Sequence, residues 1–180
     1  LPLAQDYRVQ VARVIVHVDA RLNDDAAGAP GDRGLTLDVG HVVVALGGIV
    51  GWQRQGQGGA GVDEVVVVTG YHHELVEPAV EQFPVKVVRN PNPEDGQASS
   101  VRLGIEALGS NFDAIIMALS DQPLINANDI KKLIAVFKNR PSGEILMPVV
   151  NGQRGNPIVL SGTVMGQIIE SGRNMVCRNF

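Results

Sequence analysis

Val62 to Gly70 reads VDEVVVVTG. The apolar residues from Val65 to Val68 are consecutive rather than alternating. That is the pattern of a strand covered on both faces, as in a parallel sheet with helices above and below it. Gly70 ends the run. Working outward, His73 to Gln82 reads as a short helix and Val85 to Arg89 as the next strand. Asn90 to Gln97 is a polar loop with two prolines. Ala98 to Leu108 is helical, with Val101, Ile105 and Leu108 on one face, and Gly109 stops it. Asp113 to Leu119 is a second buried strand, running into Ser120, Asp121, Gln122 and Pro123. A helix follows, capped by Asn126 or Asn128 and reaching about Asn139, with Ile130, Leu133, Ile134 and Phe137 facing the core. Glu144 to Val150 and Pro157 to Leu160 read as strands, and Gly162 to Ser171 as a last helix. Strands alternating with helices give an α/β fold, a mainly parallel sheet with helices on both faces.

The chain has 180 residues, 44% hydrophobic and 19% charged, with a net charge of -4. One domain of this length buries a real core. No apolar run is long enough to span a bilayer, and the negative balance argues against nucleic acid as a partner. The single cysteine, Cys177, excludes an internal disulfide and a multi-cysteine zinc site. Leu1 to Asp6 has neither the basic nor the apolar region of a signal peptide, so the expected location is cytoplasmic.

The first third is different. No lysine occurs before Lys86, and 11 of the 21 glycines precede Val62. Two strands are expected there, Ala12 to Val18 and His41 to Leu46, separated by a loop-like stretch from Asn23 to Asp38. So much irregular chain is unusual in a compact domain.

In an open parallel sheet, ligands bind beyond the carboxyl ends of the strands. That rule selects Thr69 to Tyr71, Asn90 to Ser100, Ser120 to Pro123 and Asn151 to Pro157. Asp121 follows a buried strand directly, where a carboxylate suits Mg²⁺ or simply caps a turn. Ser99 and Ser100 open a helix whose amides suit an anion or a base edge, or cap that helix. Arg154 offers a guanidinium fork to a phosphate, within what otherwise reads as a Gly/Asn turn. His72 and His73 are adjacent, which is the wrong spacing for a metal pair on a helix.

Four segments in order, VDEVVVVTG at 62–70, NPNPEDGQASSVRLG at 90–104, DQPL at 121–124 and GQRGNP at 152–157, are similar to the molybdenum cofactor cytidylyltransferase group of the MobA-like NTP transferases. GRNM at 172–175 also resembles that group. The resemblance covers residues 62–180. It implies a three-layer α/β/α sandwich of the nucleotide-diphospho-sugar transferase type. It implies a Mg²⁺-dependent transfer of CMP from CTP to molybdopterin, with pyrophosphate released. On this chain, Asp121 would be the catalytic metal ligand. Thr69, Gly70 and Asn90 would lie near base and ribose, and Gly96, Ser99 and Ser100 would complete the nucleotide pocket. Arg154, Gly155, Asn156 and Pro157 would face the pterin.

Two departures accompany it. The family opens with a strand and a loop like LAAGxSxRMGxxK, whose nearest echo here is Ala26 to Gly34, without the lysine. The family also continues past Phe180 to a further acidic segment. The whole chain is expected to be one nucleotidyltransferase domain, atypical over 1–61 and truncated at its end. A frame error in the coding sequence would account for that first third. Alternatives are a binding module that holds nucleotide or molybdopterin without turnover and assists a molybdoenzyme, and guanylyl or sugar-phosphate nucleotidyl transfer.

Overall fold

The computed structural model describes residues 12–17, 62–109, 112–120 and 124–170. Their order is β1 (Ala12–His17), β2 (Glu64–Thr69), α1 (His73–Val80), β3 (Lys86–Arg89), a 3₁₀ turn (Pro93–Asp95) and α2 (Gln97–Leu108). Then come β4 (Ala114–Leu119), α3 (Ala127–Lys138), β5 (Ile145–Leu146), β6 (Val149–Val150), β7 (Gln153–Arg154), β8 (Ile158–Ser161) and α4 (Gly162–Glu170). The main sheet has the order β3-β2-β1-β4-β8-β5. β3, β2, β1 and β4 are mutually parallel, while β8 runs antiparallel to both β4 and β5.

The valine run behaves as a doubly covered strand should. Val65 and Val67 pack with Val76 and Val80 of α1 and with Ile130, Ile134 and Phe137 of α3. Val66 and Val68 pack on the opposite face with Val101, Ile105 and Leu108 of α2 and with Val164, Met165 and Ile168 of α4. β4 divides in the same way, Ala114, Ile116 and Ala118 to the first core and Ile115 and Met117 to the second. The result is the three-layer α/β/α sandwich.

β1 is the central strand. Arg13 to His17 pair with Glu64 to Val68 on one side, and Ala12 to His17 with Ala114 to Leu119 on the other. The strand expected at Ala12 to Val18 is present as Ala12–His17, and Ile15, 1% exposed, sits in the second core. Gly104 explains the fit. A Cβ at Gly104 would lie 2.8 Å from Ile15 Cγ2 and 3.1 Å from Val68 Cγ2, so its bare backbone lets α2 lie close on β1 and β2. The second expected strand, His41 to Leu46, and the echo at Ala26 to Gly34 lie outside the described residues.

One other expectation is corrected, and one left open is decided. Glu144 to Val150 is not one strand: it breaks at Met147 and Pro148 into β5, in the main sheet, and β6, which among the described residues pairs with β7 alone. Proline lacks the N–H a continuing ladder needs. Asn126, rather than Asn128, caps α3. Its side chain accepts from the Asn128 N–H at 2.9 Å, and its own N–H donates to Asp129 at 3.2 Å.

Candidate active site

The sheet order places the topological switch between β1 and β4, where ligands of open α/β sheets gather. The carboxyl ends of β3, β2, β1 and β4 form one rim, since all four strands are parallel. β8 enters the sheet at that same rim, because Ile158 pairs with Met117 near the end of β4. With strands about 4.8 Å apart, Thr69 and Ser120 are separated by two strand steps, roughly 10 Å. Asn90 and Pro157 are separated by four steps, roughly 19 Å.

The expected residues therefore fall into three groups along one edge. The first is compact and comprises Thr69, Gly70, Asn90, Gly96, Ser99 and Ser100. Asn90, 3% exposed, clips its loop shut. Its Nδ2 donates to Ser99 Oγ at 2.8 Å and to Ser100 Oγ at 3.0 Å. Its Oδ1 accepts from the Asn92 N–H at 3.0 Å. Ser99 Oγ in turn donates to the Gly96 carbonyl at 2.8 Å. The Asn90 N–H donates to the Thr69 carbonyl at 2.8 Å, joining the loop to the end of β2.

The side chains of Asn90, Ser99 and Ser100 are thus engaged with one another and with the loop backbone. No side chain caps the first turn of α2, and an uncapped first turn leaves amide donors with a favourable dipole. Gly96 has φ +83, a conformation that glycine adopts readily, while an added Cβ would meet nothing within 4 Å. Its role is conformational. Gly70 is tight on space: a Cβ there would lie 3.0 Å from Pro93 Cβ, so the loop folded over the end of β2 would have to give way slightly.

Asp121 belongs to the second group by chain position, two residues beyond the end of β4 at Leu119. Asp121 itself lies outside the described residues, with Gln122 and Pro123. Among the described residues, no three metal-ligating side chains converge.

The third group is the ribbon β6–β7 and its exit. Arg154 is exposed on β7, opposite Val149. The Gly155 N–H donates to the Pro148 carbonyl at 2.9 Å, and the Asn156–Pro157 peptide is cis. Pro157 is buried at the entry to β8. The structure puts this group on the same rim as the Asn90 cluster but does not join them.

Sequence reasoning missed Glu77. Its carboxylate, on α1, accepts from Thr69 Oγ1 at 2.8 Å and from Arg89 Nε at 2.9 Å on one oxygen, and from Arg89 Nη2 on the other. The Arg89 fork holds Glu77 below the usual carboxylate range. Burial opposes this, and the Thr69 hydroxyl assists it. Eight and 12 residues separate the partners in the chain, so no local pattern signals the contact. His72 and His73 flank the same corner. His73 Nδ1 is 3.2 Å from the Gly70 carbonyl, and both rings lie near Glu74.

A model of the MobA-like NTP transferase domain matches residues 50–174. The chain belongs to the MobA-like NTP transferase family. It is thereby grouped with enzymes that transfer nucleotidyl units. Solved structures of the same fold include Rv0371c from Mycobacterium tuberculosis, with TM-score 0.63, 22% identity and coverage of 90% of this chain and 77% of that one. The same protein in complex with manganese gives TM-score 0.59 at 20% identity, covering 89% and 75%. The 4-diphosphocytidyl-2C-methyl-D-erythritol synthase of Anaerococcus prevotii gives TM-score 0.62 at 10% identity, covering 93% and 78%. A CMP:2-keto-3-deoxy-manno-octonic acid synthetase complexed with CTP gives TM-score 0.56 at 17% identity, covering 89% and 78%. No curated protein matches the chain. No helix among the described residues is long and apolar enough to cross a membrane.

Proposed function

We propose that this MobA-like NTP transferase carries CMP from CTP to molybdopterin and releases pyrophosphate. The observation that carries the nucleotide half is the closed loop around Asn90. A buried amide organises Gly96, Ser99 and Ser100 so that the start of α2 opens on the rim beside Gly70. The choice of CTP draws on the DQPL and SSVR segments. It also draws on fold relatives, one of which is solved with CTP. Molybdopterin rests on the four ordered motifs alone.

In the reaction, an oxygen of the molybdopterin phosphate forms a bond to the α-phosphorus of CTP. The bond from that phosphorus to the bridging oxygen breaks, and pyrophosphate leaves with the electron pair. Catalysis of this kind is mostly positioning and charge neutralisation. Gly70, Asn90 and the α2 amides would hold the cytidine end, and Arg154 with Gly155, Asn156 and Pro157 would meet the acceptor. Asp121 is the residue proposed to hold a divalent cation, which would neutralise phosphate charge; the manganese-bound relative supports a metal of that type.

The absence of lysine before Lys86 favours a second reading, a module that binds nucleotide or molybdopterin without turnover. Thermal unfolding with CTP, GTP and ATP, with and without Mg²⁺, tests the site. A ligand at a hundred times its dissociation constant stabilises by about 2.7 kcal/mol. The expected result is a Mg²⁺-dependent shift with CTP that Asp121→Ala abolishes. Pyrophosphate release with molybdopterin, compared with a sugar phosphate and a polyol phosphate, then separates transferase from binding module and identifies the acceptor. Unchanged melting with every nucleotide would refute the proposal.

A further inference from the structure

The residues just before Gly70 and Asn90 are Thr69 and Arg89, and one carboxylate holds both. Glu77 takes the Thr69 hydroxyl and the Arg89 Nε on one oxygen and Arg89 Nη2 on the other. Thr69 is 1% exposed, the Glu77 side chain 21% and the Arg89 side chain 54% exposed, so the carboxylate is anchored on its Thr69 side and met by Arg89 from the surface. Thr69 and Arg89 are also direct partners in the β2–β3 register, the last pair before both strands turn into loops. The Thr69 carbonyl receives the Asn90 N–H. Asn90 then sets Ser99 and Ser100. A continuous series of bonds thus runs from α1 through both strand ends to the first turn of α2.

We infer that Glu77 is a positioning residue for the nucleotide site. It touches no reacting atom. It fixes the splay and height of the two strand ends, so that Gly70 and the Asn90 loop present a preformed surface to the nucleotide. This rests on the nucleotidyltransferase reading of that surface. Arg89 serves as a fork that a lysine does not replace, because the two bonds to Glu77 leave from different nitrogens of one plane. Thr69 serves through its backbone, with its hydroxyl directed to Glu77 rather than to the ribose.

The test measures CTP affinity by calorimetry and amide exchange at Gly70 and Asn90 in the full chain. Variants are Glu77→Ala, Glu77→Gln, Arg89→Lys and, as a control for general destabilisation, Phe137→Leu, a buried position in the last turn of α3, at the end of that helix away from the rim. Glu77→Ala is expected to weaken CTP binding about ten-fold and speed exchange at both amides, with turnover at saturating CTP nearly unchanged, since loss of uniform binding raises KM alone. Glu77→Gln, which keeps an acceptor for Thr69 and remains folded if the alanine variant does not, should lie between. Arg89→Lys should resemble Glu77→Gln. Phe137→Leu should lower the melting temperature and leave CTP affinity intact. Wild-type affinity and exchange in both Glu77 variants would overturn the inference while leaving the function standing. Failure of the wild-type protein to bind any nucleotide would overturn the function, and this inference with it.

Discussion

The carboxylate of Glu77 is held below its ordinary value of 4.5 chiefly by hydrogen bonding from Arg89, against the opposing effect of burial. The sign of its pH dependence follows. A carboxylate with a lowered folded-state pKa binds its proton more readily when unfolded, so its contribution is complete above pH 4.5. It is lost as the pH falls through the depressed folded value. Glu77→Gln should therefore flatten the acid limb of the stability curve below pH 4.5 relative to the wild type, as read by urea unfolding across pH. Above that pH the two curves should run parallel. Gly104 makes a separate residue-scale case. A side chain on a helix usually helps, with alanine gaining up to about 1 kcal/mol over glycine. Here the added carbon would meet Ile15, a fully buried side chain, at 2.8 Å. Overpacking costs roughly 1–3 kcal/mol, so the steric term prevails. Gly104→Val should destabilise within that range or beyond, measured by chemical denaturation.

At the scale of elements, α3 illustrates a helix whose start is chemically specified. Asn126 accepts from the Asn128 N–H, and Asp129 returns a bond to the Asn126 N–H. Asn126→Ala should lower unfolding free energy by about 1 kcal/mol, visible in urea. The start of α2 is built differently. It has no side-chain cap and begins at the positive-φ Gly96. The two helices, of 12 residues each, thus differ in how their first turns are held. Gly96→Ala, strained by φ rather than by crowding, should weaken CTP binding more than it lowers the melting temperature.

At the scale of the molecule, β1 bonds both halves of the parallel sheet, β2 on one edge and β4 on the other. Its residue Ile15 belongs to the α2/α4 core. Ile15→Ala should cost about 2–5 kcal/mol, a large share of the stability of an ordinary domain. Val149, 61% exposed on the β6–β7 ribbon, should by contrast tolerate serine within about 0.5 kcal/mol. Both comparisons are read from cooperative denaturant unfolding.

Most of this architecture was legible in the chain. The uninterrupted valines, the apolar β4 run and the helical stripes at Val101–Leu108 and Ile130–Phe137 encode doubly covered strands and the helices that cover them, because burial on both faces leaves no alternation. Gly70, Asn90, Gly96, Ser99 and Ser100 were also legible as a group, since strand ends in a parallel sheet share one rim. Tertiary structure decided the rest. Only pairing put Ala12–His17 between β2 and β4, because a strand's neighbours depend on the whole sheet and not on its own residues. Only packing turned Gly104 from a motif letter into the notch that admits Ile15. Only the approach of α1 to the ends of β2 and β3 brought Glu77 to Thr69 and Arg89, a contact that depends on geometry across three elements and leaves no periodic trace in the sequence.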